Sequence, residues 1–285
     1  MKILSILSFF LLLSFEVFAT EDNPDLQTDF QKDSVYISET EDVKGKDKVL
    51  HAEPLFIDLI RDLGARKGEA EWNVGFGLTD NNSVDKYSAL IEYEWAQFDR
   101  LGFEIELPFT FYIPNGASSQ NLGSKLNSLK LATQYTFYVS EENATSLALG
   151  YIHEFELTNF SNYRKRQLFT GNVFNPFFVG AKRFGNNYHT LLYTGPAIGS
   201  HLIDNSIHSV WQINSSFHYM IPGTRNFIGL EMNKEVFSNK FDMIIRPQMR
   251  VGISENVLMG IVTEIPISKD NQRFGSFFRL IYEPH

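Results

Sequence analysis

The chain has no cysteine. Disulfides, thiolate metal sites, cysteine nucleophiles and a lipid-modified N-terminal cysteine are therefore excluded. Long apolar runs are also missing: after the first 19 residues, nothing approaches the roughly 20 apolar residues of a membrane-spanning helix. Basic residues are in deficit, 25 Lys and Arg against 34 Asp and Glu for a net charge of −9, which argues against nucleic acid as a partner. The 7 histidines (His51, His153, His189, His201, His208, His218 and His285) show no zinc-ligand spacing, so no metal site is read. Gly75 and Gly77 alternate on a strand and lack the helix-opening context of a phosphate loop, so no cofactor is expected.

What is present is alternation. Leu101, Phe103, Ile105, Leu107 and Phe109 share one parity, with Glu104 and Glu106 on the other. Successive strand residues point to opposite faces, so one face is apolar and the reverse carries acids. About a dozen such segments follow one another, near 70–79, 86–96, 100–113, 125–139, 144–158, 173–184, 187–199, 206–220, 226–236, 241–253, 257–267 and 273–283. Short turns alternate with longer loops. This pattern predicts an all-β fold, a closed antiparallel transmembrane β-barrel of about 12 strands, with the short turns and both chain ends in the periplasm. A water-soluble β-sandwich is the competing architecture.

The N-terminal part divides in three. Residues 1–19 read as a secretory signal, with Lys2, an apolar stretch and Val17-Phe18-Ala19 at the cut. Residues 20–50 carry nine acids against four lysines, too polar to bury a core, and read as a disordered acidic leader open to a periplasmic partner. Residues 51–69 read as a short amphipathic helix leading into the barrel at 70–285. Pro54 opens it, Leu55, Phe56, Leu59, Ile60 and Leu63 share its apolar face, and Gly64 stops it. These five apolar residues are the candidate plug.

By parity, Trp72, Val74, Phe76, Leu78, Ile91, Tyr93, Trp95, Leu147, Leu149, Tyr151, Trp211, Ile213, Phe217 and Tyr219 face lipid. The opposite face supplies the lumen and selectivity candidates: Glu92, Glu94, Glu104, Glu106, Lys130, Glu154, Glu156, Glu231, Glu235, Arg246, Arg250, Glu264 and Arg279. Two ladders are expected, Glu104, Glu106 and Glu154 with Lys130, and Glu231 and Glu235 with Arg246 and Arg250. Unpaired buried charge is costly, so these groups must satisfy one another in a pore wall or a filled barrel. Pro108, Pro196, Pro247 and Pro266 fall inside assigned strands, where a missing N–H must be absorbed. His153 falls on the lipid parity, tolerable only near an interface.

The run His51-Ala-Glu-Pro-Leu-Phe-Ile-Asp-Leu-Ile-Arg-Asp-Leu-Gly-Ala-Arg-Lys-Gly-Glu69, followed by Glu71-Trp-Asn73, resembles a family of Bacteroidetes-type proteins opened by the same HAEPL-ID phrase. The resemblance continues through Tyr87–Glu94, Leu129–Ala132 and Arg279–Pro284. It implies an outer-membrane barrel and brings no catalytic or ligand residues. The chain is also broadly similar to barrels described as phenol-degradation transporters.

These readings give a monomeric, non-enzymatic barrel in a Gram-negative outer membrane. It would be a passive, porin-like channel for a small solute or ion through an acidic, charge-paired lumen. A filled structural or adhesive barrel is the alternative. A lipid-modifying hydrolase comes third: Ser206 with His208, and Ser216 with His218, each share a face, but that face is the lumen. Partners would be outer-membrane lipid and lipopolysaccharide, the latter facing the cationic stretch Tyr163–Arg166.

Overall fold

The computed structural model describes residues 47–57, 59–114, 122–238, 240–268 and 272–284. The expected signal and nearly all of the acidic leader lie outside the described residues. Thirteen β-stretches form one sheet: β1 (Ala70–Asn81), β2 (Val84–Phe98), β3 (Leu101–Pro114), β4 (Lys125–Leu126), β5 (Ser128–Ser140), β6 (Thr145–Leu157), β7 (Phe169–Phe184), β8 (Tyr188–His201), β9 (Ile207–Met220), β10 (Phe227–Val236), β11 (Phe241–Ser254), β12 (Val257–Pro266) and β13 (Gln272–Tyr282). β4 and β5 both pair with β3 and are one stave interrupted at Asn127, so thirteen stretches make twelve staves. Every neighbour pair is antiparallel, and β1 closes the ring on β13, with Trp72 opposite Tyr282 and Leu78 opposite Ser276.

The connections at one end are tight: β2 to β3, β5 to β6, β7 to β8, β9 to β10 and β11 to β12. Gly185 at φ +59° and Gly223 at φ +66° supply the left-handed backbone two of these turns need. Most longer connections lie at the other end, including the one holding a 3-10 turn at Phe160–Asn162.

The prolines are absorbed locally. Opposite Pro108 the partner strand bulges at Asn127, whose N–H donates to the Pro108 carbonyl at 2.7 Å. Around Pro196 the β7–β8 pairing lapses between Phe174–Ile198 and Phe178–Thr194; around Pro247 the β11–β12 pairing lapses between Ile245–Ile265 and Gln248–Val262. Neither lapse shifts the register, so closure survives.

The outer surface is apolar all round. Trp72, Phe76, Ile91, Leu149, Trp211, Phe217, Ile228 and Leu280 are all exposed, far beyond what a soluble monomer leaves to water. Aromatic rings run along the short-turn rim, with Trp72–Tyr93 centroids 4.5 Å apart, Tyr93–Trp95 5.4 Å and Trp95–Phe103 5.6 Å. His153 lies near the opposite rim, stacked on Phe155 at 4.2 Å and bonded through Nε2 to Asn172 at 3.1 Å. Its polar nitrogens are thus accommodated on the outward face.

The expected helix is not present among the described residues of 51–69. Among the described residues of that stretch the backbone is irregular, and Arg61 at φ +67° and Gly64 at φ +87° are left-handed. A helix this short is marginal, and here its amides are claimed by other acceptors.

Candidate functional site

Residues 47–69 enter the lumen at the short-turn end, reach their deepest point near Phe56 and return to the same end. The return is seated on the rim: Gly68 N–H donates to Ala96 O at 2.9 Å, and Arg100 N–H to Ala65 O at 2.6 Å. The two limbs are clipped by Lys48, whose Nζ lies 3.1 Å from Asp62 and 3.0 Å from Glu69.

The apolar residues read as one helical face instead divide between opposite walls. Ile57, Ile60 and Leu63, with Leu59 alongside, pack on Ala132, Ala148, Ile152, Phe177, Val179 and Leu191. Leu55 and Ala52 pack on Phe227, Leu258, Val262, Phe277 and Ile281. Ile60 is 0% exposed and Leu55 1%. The wall is cut to receive them. A Cβ on Gly102 would stand 2.3 Å from the Ile60 carbonyl oxygen, and one on Gly260 2.5 Å from Leu55. Two spaces beside the segment measure ≈ 20 and ≈ 40 Å³, about one water each. Among the described residues the segment thus occupies the lumen at this end.

Polar contacts fix that segment by its backbone. Glu231 accepts from Phe56 N at 2.9 Å and Ile57 N at 3.0 Å; Gln248 accepts from Leu55 N at 2.9 Å. Glu94 accepts from Arg61 N at 2.7 Å, Thr136 Oγ1 from Gly64 N at 3.0 Å, and His189 Nδ1 from Ala52 N at 2.9 Å. Amides a helix would bond internally are thus bonded to the wall, which is why no helix forms. The His189 contact also requires that Nδ1 carry no proton. His51 Nε2 meets Ser146 Oγ at 2.9 Å, and burial beside His189 and Arg183 pushes its pKa down to about 3. Burial, with Asp62 beside it, raises the Glu53 carboxyl well above its usual range, although Arg250 lies 3.3 Å away. Burial would also raise Asp62, but Arg61 and Lys48 hold it well below the usual carboxylate range.

The predicted lumen residues fall into three groups. Near the short-turn end, Glu92 and Glu94 meet Asn73, whose Nδ2 lies 2.8 Å from Glu71, 2.7 Å from Glu92 and 3.1 Å from Glu94. Arg279 stands 3.7 Å from Glu92, and Arg61 reaches Glu71 at 2.6 Å. Next to them Lys130 bridges Glu104 at 3.1 Å and Glu106 at 2.6 Å. Glu154, expected in that ladder, instead accepts from Ser128 Oγ at 2.8 Å, and Glu156 faces His201 at 3.6 Å. Across the lumen the second expected ladder is re-partnered. Arg246 pairs with Glu264 at 3.1 Å and Arg250 with Glu53, because Glu231 is occupied by the inserted backbone. Neither Ser206 with His208 nor Ser216 with His218 forms a hydrogen bond within its pair among the described residues; His218 Nε2 instead meets Gln248 Nε2 at 2.8 Å. Sequence reasoning missed Arg61, Asn73, Thr136, His189 and Gln248. It also missed a legible sign of an inserted segment, which is small residues on the lumen parity: Gly102, Ala132, Ala148 and Gly260.

Beyond the tip of the segment, toward the longer connections, the lumen opens into a cavity of ≈ 190 Å³. Its floor is Phe56 under the Arg246 guanidinium, 3.5 Å from ring centroid to Cζ.

No curated protein matches this chain. Among solved structures it is similar to an outer-membrane channel from Pseudomonas putida F1, at 13% identity and a TM-score of 0.60, covering 78% of this chain and 98% of that one. It is also similar to the KdgM porin (12%, TM-score 0.52, 75% and 99% covered) and the NanC porin (7%, TM-score 0.53, 76% and 100% covered). At these identities the likeness establishes the closed barrel. The model of the HAEPLYID-like family matches residues 47–283, so it takes in the inserted segment together with the whole barrel, and this chain belongs to that family.

Proposed function

We propose that the protein is a passive outer-membrane channel for small solutes whose lumen is shut by its own residues 47–69. The observation that carries this reading is the mode of attachment. Besides its two apolar clusters, the segment is attached to the wall largely by single hydrogen bonds from its backbone to wall side chains. Each is worth about 1 kcal/mol net, or about 1.5–3 kcal/mol to a charged group, and can be exchanged for water one at a time. The porin-like neighbours support the same role. KdgM has been crystallised with oligogalacturonate, a polyanion. In this lumen Lys130, Arg246, Arg250 and Arg279 face a larger set of carboxylates, so an open path would favour cations and neutral solutes.

A filled structural barrel is the second reading, favoured by the two apolar clusters that bury Leu55 and Ile60. Single-channel recording of refolded mature protein in planar bilayers separates the two. Brief cation-selective steps from the full chain, and persistent ones after deletion of 47–68, support the channel. Silence from both forms, shown to be folded, leaves the structural barrel.

A further inference from the structure

We propose that the cavity above the plug is a binding site for a small amino-bearing polyol, a molecule of the hexosamine class. This names the solute class of the channel's outer mouth and rests on that reading for its role in transport, though not for binding itself. The cavity, at ≈ 190 Å³, holds the equivalent of about six waters, room for one small solute.

Its hydrogen-bonding pattern is asymmetric. Gln212 Oε1 accepts from Asn175 Nδ2 at 2.9 Å, Asn214 Oδ1 from Lys234 N at 3.3 Å, and Asn233 Oδ1 from Arg246 at 2.6 Å. Each amide oxygen thus already accepts one bond from the wall. The three amide NH₂ groups have no partner among the described residues, and all three residues line the cavity. They are donors in search of acceptors, and the oxygens of a polyol supply them. Glu154 and Glu235 face the same space. Glu154 accepts only from Ser128 Oγ, and no cation pairs with either carboxylate among the described residues. Arg246 is already committed to Glu264 at 3.1 Å. The site therefore offers donors from three amides together with two carboxylates that form no ion pair among the described residues. Arg246 acts on Glu235 only from longer range, and the third lining carboxylate, Asp242, is paired with Lys240 at 3.4 Å. A hydroxylated molecule bearing an ammonium group satisfies both halves. A sugar acid satisfies the amides but is repelled by the carboxylates. Phe56, capped by Arg246, and the edge of the buried Tyr193 complete the floor and wall.

The test is calorimetric titration of the full-length protein in detergent with D-glucosamine, D-glucose and D-galacturonate. Glucosamine should bind about tenfold tighter than glucose, the yield of one charge-assisted hydrogen bond, and galacturonate should bind weakest. Glu235→Gln should erase the glucosamine advantage while leaving glucose unchanged. Gln212→Ala should weaken both. Galacturonate binding as tightly as glucosamine would overturn the proposal. So would wild-type glucosamine affinity in both variants, or no saturable glucosamine binding by protein that retains its heat-modifiable electrophoretic mobility. Binding with silent bilayers would leave this site standing and remove the channel. Conductance without glucosamine binding would do the reverse.

Discussion

Glu231→Gln is the sharpest perturbation of the plug. The two Glu231 oxygens each accept one backbone N–H, Oε1 from Phe56 and Oε2 from Ile57, and Oε1 also receives Gln248 Nε2 at 2.7 Å. Glutamine keeps the shape of the side chain. It can keep the oxygen that serves Phe56 and Gln248, but it then turns an NH₂ toward the Ile57 N–H. A buried N–H left without an acceptor costs about 1–3 kcal/mol, and the bond to Phe56 loses its charge assistance. The plugged state should lose about 2–4 kcal/mol relative to the released one, on the order of 30- to 1000-fold in the closed-to-open ratio. Amide hydrogen exchange at Ile57 reads this directly, and open probability in bilayers reads its consequence. Glu142→Gln, exposed in the turn between β5 and β6, serves as the control. If Ile57 exchanges at the wild-type rate in Glu231→Gln, the carboxylate does not hold the plug and the attachment argument is wrong.

Three further outcomes are expected. His51 is neutral in the plugged state with a pKa near 3, against 6.5 when released, so release takes up a proton below pH 6.5. The plug is therefore fully held above that value and weakens as pH falls toward 3, by about 2 kcal/mol at pH 5 from this group alone. Open probability should rise between pH 7.5 and 5, with a flatter profile in His51→Gln; equal profiles would remove His51 as the sensor. Glu53 works in the opposite sense, since its raised carboxyl stabilises the plugged state at low pH and loses that contribution as pH rises, so Glu53→Gln should steepen the acid response. Gly102→Leu places a side chain where the Ile60 carbonyl lies, 2.3 Å from the Cβ position; the barrel should stay folded while protease cleaves within 47–69 many times faster than in wild type.

The barrel was legible because its signal is local and repeated. Parity along β3 puts Ile105 outside at 41% exposure and Glu104 inside at 1%, and a period of two needs no knowledge of distant residues. The lumen pairings were less legible. Arg246 stands between Glu231 and Glu264 on neighbouring staves, and which one it takes depends on whether Glu231 is already engaged by residues more than 170 positions away. The plug was misread for a related reason. Spacings of three and four suit one helical face, but they suit equally a folded-back strap that alternates between two walls, and only the wall decides. Pro54, Gly64 and the inward glycines at 102 and 260 were the residues that favoured the strap.

The clip at Lys48 has a kinetic meaning. Both limbs of the strap leave by one rim, and its far end continues directly into β1 at Ala70. On the channel reading proposed above it needs no threading to escape, and once out it remains tethered to the pore it would block. A tether this short keeps the strap at an effective concentration of order millimolar. Reclosure is then a first-order event, indifferent to how much protein the membrane holds. Openings should be brief and self-terminating, and a soluble peptide copying 47–69 would need millimolar amounts to compete for the seat.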